Sequence, residues 1–363
     1  MSSKSLFQPD WVSPPGDTIA KILVEKKISI KQFSNIMEMS ITDINQLISG
    51  KKKIDNEIAQ KLETSIGSSP SFWIKRDLQY WEDAGRKEML DQETDEWLEK
   101  LPLRDMVKLG WISPSKSHVE KKRKCLKFFD VNSVNEWYST YNDLLAAASF
   151  RTSYSFDTQP ESVISWLRCG VIESNKLQCK TWDAASFNET LNQIKHLTRI
   201  ADPKKFVPSL KKEFARSGVA LAIVPTPAKC RASGATFFPQ PQKAILMLSF
   251  RYLSDDHFWF SLFHEAGHLL LHSKNSLFLE NADKHISVQE SEANKFAENI
   301  LIPLEYKEEF LKLTAKEWRK VIRFAKKIGV SAGVVVGQLQ HYELIRHNQL
   351  NKFKVRYKWS DIY

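Results

Sequence analysis

Residues 263–269, Phe-His-Glu-Ala-Gly-His-Leu, constrain the fold more than any other stretch of the chain. Phe258, Trp259, Phe260 and Leu262 precede the motif and Leu270 and Leu271 follow it, so the segment reads as a buried helix. Inside that helix His264 and His268 stand four residues apart, one turn, on one face. Two imidazoles and a carboxylate are costly to bury in apolar surroundings without a partner. The pattern H-E-x-x-H answers that cost with a metal: both rings ligate one Zn²⁺, while Glu265 leaves the helix at another angle and addresses a water. That is the position of a general base.

A catalytic zinc takes three protein ligands and keeps one position open, so a third ligand is expected downstream. Ala293, Phe296, Ala297, Ile300 and Leu301 recur at helical spacing, and Pro303 closes the segment. Glu292, on this second helix, is the expected third ligand, with Glu290, Asp283 and His285 as the other candidates. His272 continues the four-residue series but lies a turn too far to join the same metal, and is expected to support or cap.

At 363 residues the chain has room for two or three domains. The expected division is 1–85, 86–213 and 214–363. The expected fold class is mainly α with a small antiparallel β-sheet (α+β) in the last part, preceded by an all-α bundle. Cys125, Cys169, Cys179 and Cys230 form no C-x-x-C pair and read as free thiols of a reducing cytosol. The first residues carry no apolar leader, and no run reaches the length of a membrane span. A cytoplasmic chain without a membrane partner is expected.

The first 85 residues read as a bundle of short helices. Ser29-Ile30-Lys31-Gln32 is a capping box, Ser40-Ile41-Thr42-Asp43 a second cap, Asp55 a third, and Ser69-Pro70 opens another helix. Gly50 ends the helix that starts at Ser40. Ser29–Met37 and Ser40–Ser49, joined by a tight turn, have the form of a helix-turn-helix, with the second as recognition helix. Residues 15–80, including Ile48-Ser49-Gly50-Lys51-Lys52 and Pro70-Ser71-Phe72-Trp73, resemble the XRE/HigA-type antitoxin helix-turn-helix. Thr42, Asp43, Asn45 and Gln46 are then the expected base readers, and Lys51, Lys52 and Lys53 the phosphate contacts. The recognition helix holds no Arg or Lys, and residues 1–85 carry eleven basic against eleven acidic side chains. A module kept for protein contact, including homodimerisation, therefore competes with operator DNA as its partner.

Residues 86–213 show short helical patterns, such as 102–111, 120–129, 162–169 and 187–201, and no catalytic constellation. The pattern changes near Phe214. Strands are expected at 218–225, 234–238 and 244–250, with a hairpin through Pro239–Gln242. Asp255-Asp256 are expected to cap the metal helix. Helices are expected at 316–327 and 331–341, and 353–359 reads as an edge strand or tail. The net charge is +10, and Lys316–Lys358 holds eleven basic residues against Glu317 and Glu343. That run reads as a solvated face, or else as a surface for acidic partners or nucleic acid.

Residues 214–341 resemble the ImmA/IrrE-type metallopeptidase domain. The resemblance is carried by Ser249-Phe250-Arg251, Asp256–Phe260, Phe263–His268 with Leu271-His272, and Glu290-x-Glu292-Ala293-Asn294-x-Phe296-Ala297 ending at Leu301-Ile302-Pro303. It implies a gluzincin-like arrangement, with Zn²⁺ on His264, His268 and Glu292 and with Glu265 as general base. It further implies a protein substrate, a helix-turn-helix repressor cleaved to release its target genes. Arg251, Tyr252, His257 and His341 are the candidates for a second oxyanion donor. The competing reading is an antitoxin-like regulator whose zinc domain binds without turnover.

Overall fold

Capping side chains decide where the N-terminal helices begin. The computed structural model describes residues 13–152, 158–272, 278–281 and 287–361. It separates Met1–Trp97 from Leu98–Tyr363. The first unit holds α1 (Pro15–Glu25), α2 (Ile30–Met37), α3 (Ile41–Ile48), α4 (Asn56–Ile66) and the start of α5 (Pro70–Lys100). Ser29 Oγ accepts the Gln32 N–H while Gln32 Oε1 accepts the Ser29 N–H, a closed capping box. Ser40 Oγ accepts from Asp43 N–H, and Asp55 Oδ1 from Ile58 N–H. The apolar faces that follow each cap converge on a core of Ile19, Phe33, Met37, Ile44, Leu47, Leu62 and Trp73.

The α3 surface presents Thr42, Asn45 and Gln46 to solvent, with Lys51 and Lys53 beyond its end. Asp43 is engaged by residues flanking its own helix. Its carboxylate accepts from Lys52 Nζ at 2.5 Å and from Ser40 Oγ at 2.6 Å, which holds its pKa below the usual range. The acid that would face a negative groove is thus paired to one of the lysines expected at phosphate.

The second unit opens with α6 (Leu103–Lys108), α7 (His118–Phe129), α8 (Val134–Thr152), α9 (Pro160–Asn175), α10 (Ala184–Ile194) and α11 (Pro203–Arg216). Then come β1 (Val219–Ile223), β2 (Ala232–Gln240), β3 (Lys243–Leu248), α12 (Asp255–Leu271), β4 (Phe278–Asn281), α13 (Val288–Leu301), α14 (Lys307–Leu311), α15 (Trp318–Ile328) and α16 (Ala332–His341). The strands form one sheet in the order β1-β3-β2-β4. The antiparallel pattern holds for β2 with β3 and with β4, whereas β1 runs parallel to β3. A two-residue turn at Pro241-Gln242 folds β3 back along β2, and β3 inserts beside β1 in β1's own direction.

Both faces of the sheet are covered, so β1 is buried at every position instead of alternating. One face is covered by α9. Trp166 Nε1–H donates to Val224 O at 2.9 Å, and Gly170 leaves the space that Met247 fills. Phe187, Leu191, Phe206, Leu210 and Phe214 join the same core as Trp259, Leu262 and Phe263 of α12.

The N-cap of α12 is Ser254, and Asp255 and Asp256 lie inside its first turn. Their carboxylates favour the positive helix end but bind outward. Asp255 accepts from Ser331 Oγ–H at 2.8 Å and Val355 N–H at 3.0 Å; Asp256 accepts from Lys354 Nζ at 2.6 Å. Gly333 and Gly337 let α16 close on this pair, since a Cβ at Gly333 would come within 2.3 Å of Asp255 Oδ2. Residues 353–359 form no sheet strand: Arg356 makes an isolated bridge to Ser254, and Lys354 and Val355 are held by the two aspartates. On α15, Val321, Phe324, Ala325 and Ile328 are buried, and Lys320 and Lys327 reach Glu317 and Glu309 from its solvated side. Among the described residues no helix is long and apolar enough to cross a membrane.

Candidate metal centre

The centre is built where α12 and α13 run closest. Gly267 is the reason for the close approach: a Cβ there would lie 3.3 Å from Ala293 Cα and 3.1 Å from Phe296 Cδ1. Ala293 and Ala297, both fully buried, face it from α13. Small residues at this seam bring the first turn of α13 within reach of the histidines of α12.

Among the described residues, His264, His268 and Glu290 form a group that could hold a metal ion. The two Nε2 atoms are 3.0 Å apart, and Glu290 Oε2 lies 3.2 Å from His264 Nε2 and 3.6 Å from His268 Nε2. Two ligands each about 2.0–2.1 Å from a tetrahedral zinc stand roughly 3.3–3.4 Å apart. The three measured edges bracket that separation, so the residues fit such an ion. Burial depresses the His268 pKa, which favours the neutral ring that a metal needs. Burial alone would raise Glu290, but the His264 and His268 side chains beside it prevail and hold its carboxyl far below the ordinary range.

The carboxylate placed nearest the two histidines is not that of Glu292, the expected third ligand. Glu290 takes the place at the histidines, and Glu292 lies with His272, their Oε2 and Nε2 atoms 3.0 Å apart. Helical geometry explains the difference. Glu290 precedes Ala293, Ala297 and Leu301 by three, seven and eleven residues, so it lies on the buried stripe of α13. Glu292 is two residues around from it, with its side chain 55 % exposed. Asp283 and His285, the other candidates, lie outside the described residues.

The outer contacts fix which nitrogen each histidine turns inward. Asn294 Oδ1 accepts from His264 Nδ1–H at 2.9 Å, leaving the Nε2 lone pair of His264 toward the cluster. For His268 the support is a relay. His272 Nε2–H donates to Glu292, so His272 Nδ1 is an acceptor, and it takes His268 Nδ1–H at 3.0 Å. His268 Nε2 is then also free to ligate. Phe278 of β4 stacks on the His268 ring, with centroids 4.4 Å apart. The sequence placed Glu290 behind Glu292 as a candidate and gave Asn294 no role of its own. Their i, i+4 spacing on the Ala293–Ala297 face was the available signal.

Glu265 is fully buried beside the cluster and packs against the backbone of β2. A Cβ at Gly234 would meet Glu265 Oε1 at 2.4 Å and Cγ at 2.6 Å. Gly234 thus makes the room that the Glu265 carboxyl occupies. Of the proposed oxyanion donors, Arg251 donates to Arg231 O at 2.5 Å, and Tyr252 stacks on His257 at 4.3 Å. His341 shares the Phe260 ring with His264, each 6.2 Å from it between centroids.

Comparison with known proteins places both halves of this description. Residues 223–340 match the peptidase family M78, the IrrE N-terminal-like domain. The N-terminal region is similar to an uncharacterized HTH-type transcriptional regulator, YddM, of Escherichia coli (strain K12), at 38% identity over 60 residues. That match spans 16% of this chain and 64% of the regulator, so it falls short of the regulator's full length. A segment similar to the IrrE N-terminal-like domain is here joined to an N-terminal region similar to an HTH-type transcriptional regulator.

Proposed function

We propose that the chain is a cytoplasmic zinc-dependent endopeptidase that cleaves a helix-turn-helix transcriptional repressor. The observation that carries this reading is the triangle of His264 Nε2, His268 Nε2 and Glu290 Oε2, with the Glu265 carboxyl buried alongside. His264, His268 and Glu290 would hold Zn²⁺, which when bound acts as a Lewis acid and brings the pKa of water down to about 7. Glu265 takes a proton from the attacking water and returns it to the amide nitrogen that leaves as the C–N bond breaks. Asn294 orients His264, and the His272–Glu292 relay orients His268.

The repressor as substrate rests on the ImmA/IrrE resemblance and on the helix-turn-helix carried by the same chain. Thr42, Asn45 and Gln46 with Lys51 and Lys53 would face operator DNA, bringing the peptidase to where a repressor sits; Asp43 and Lys52 are occupied with each other. A second reading, a regulator whose metal domain binds a partner without turnover, is favoured by the regulator-like N-terminal region. Incubation of the purified chain with candidate helix-turn-helix repressors separates the two. The expected result is discrete repressor fragments, abolished by chelation and restored by Zn²⁺. Bound zinc without fragments from any candidate would favour the regulator.

The close packing of Gly234 adds a sharper expectation. Gly234→Ala pushes the Glu265 carboxyl off its place while leaving all three metal ligands untouched. A displacement near 1 Å costs on the order of 10²-fold in rate. Fragment release should fall by that order with zinc content unchanged; unaltered cleavage would remove the positioning role of Gly234.

A further inference from the structure

A cavity of about 1060 Å³ opens in the second unit among α6, the segment after it, α7 and the β1–β2 loop. None of His264, Glu265, His268 or Glu290 lines it. Its size is that of a site for a small organic molecule. Leu101, Leu103, Val107 and Ile112 give it an apolar wall, and Arg104, Lys121, Lys124 and Lys229 give it positive charge, against Glu99 and Asp105. Asp105 is already engaged, its Oδ2 accepting from Ala228 N–H at 2.5 Å. Lys124 is also engaged, donating to Pro114 O at 2.9 Å. Among the described residues Arg104, Lys121 and Lys229 have no carboxylate partner.

Two further observations point to a ligand. Ser162 lines the cavity, is fully buried, and its Oγ has no hydrogen-bond partner among the described residues. A buried hydroxyl left unmatched is destabilising, and such groups are rare without a function. Ser165, one turn along the same helix, satisfies itself on Glu161 O at 2.7 Å. Lys229 stands in the left-handed region, with φ 59°. Its loop is tied on both sides, by Ala228 N–H on Asp105 and by Gln159 N–H on Lys229 O at 2.9 Å. A non-glycine residue held there is strained, and the surrounding contacts maintain the strain.

A second cavity of about 560 Å³ shares Ile112, Ser113 and Lys124 with the first. It adds Lys127 and Trp111, whose ring stacks on Phe128 with planes 4° apart. Positive charge thus continues from one chamber into the other, and the second adds aromatic surface.

We propose that this cavity binds a small organic anion, a carboxylate or phosphate on an apolar body. The acid group would be held by Arg104, Lys121 and Lys229, and a polar atom of the ligand would accept from Ser162 Oγ–H. Five residues beyond Lys229 the same connection becomes Gly234, so a ligand here would sit on the chain that enters the strand beneath Glu265. The proposal stands independently of the peptidase reading.

Calorimetric titration of the full zinc-loaded chain tests it, with phenylacetate, phenyl phosphate and neutral benzyl alcohol as probes. The expected result is saturable binding of one acid at one site per chain, with no binding of the alcohol. The acid that binds identifies the carboxylate or the phosphate class. Lys121→Gln with Lys229→Gln should weaken binding at least tenfold, and Ser162→Ala, which removes only the hydroxyl, severalfold, with thermal melting confirming that both variants fold. Glu290→Ala should leave the signal intact, which excludes anion binding at the metal. Failure of both acids to bind, equal binding of the alcohol, or affinities unmoved in both cavity variants would overturn the proposal.

Discussion

Glu290→Ala is expected to strip the metal from the centre, and Glu292→Ala is expected to keep it. The first substitution removes one of three donors and leaves two imidazoles, too few to define a catalytic zinc site. The second removes the acceptor of His272 Nε2–H. His272 can then take its other tautomer and no longer accept from His268 Nδ1–H, so the His268 ring loosens without losing its place as ligand. Loss of such an outer partner costs roughly 10–100-fold in metal affinity. Glu292→Ala should fall in that range, as should Asn294→Ala, which acts on His264 in the same way. Glu290→Ala should exceed it. Zinc per chain, measured against a graded series of chelators, orders the three variants. Retention of zinc by Glu290→Ala together with its loss from Glu292→Ala would reverse the assignment and return Glu292 to the metal.

The contrast between these two glutamates shows what could be read from the sequence and why the rest escaped. H-E-x-x-H was legible because a polar triad inside a run of Phe, Trp and Leu has few physical explanations. The helix starts at Ser29, Ser40, Asp55 and Pro70 were legible because a cap is a local bond, complete within three residues. The carboxylate that joins the two histidines was harder. Both glutamates sit in the first turns of one helix, and only the face they share with Ala293, Ala297 and Leu301 distinguishes them. That face depends on the seam at Gly267, a tertiary contact. Other features needed the fold itself. The parallel pairing of β1 with β3 follows from where β3 inserts, and β4 is four residues long, too short to announce itself. The part played by Gly234 exists only because β2 passes under Glu265, thirty-one residues later in the chain.

Glu265→Gln should keep its zinc and lose its chemistry. The amide is nearly the size of the carboxylate, so it fits the space above Gly234 and leaves His264, His268 and Glu290 in place. It cannot take a proton from water at neutral pH, and so has none to return to the leaving nitrogen. General acid–base catalysis by a positioned group contributes about 10²–10⁴-fold, and repressor cleavage should fall by that factor. Zinc content and cleavage rate, measured on the same preparation, carry the test. Zinc near wild type with cleavage lost separates the base from the ligands, which no histidine variant can do because those lose metal and turnover together. Cleavage near wild type in Glu265→Gln would mean that proton transfer passes through another group. His341, across the Phe260 ring from His264, is the neighbour to substitute next. The same variant also addresses the regulator reading. If Glu265→Gln keeps zinc, binds its partner and still produces the full response in the cell, the buried carboxyl is not used for hydrolysis and the domain acts by binding alone.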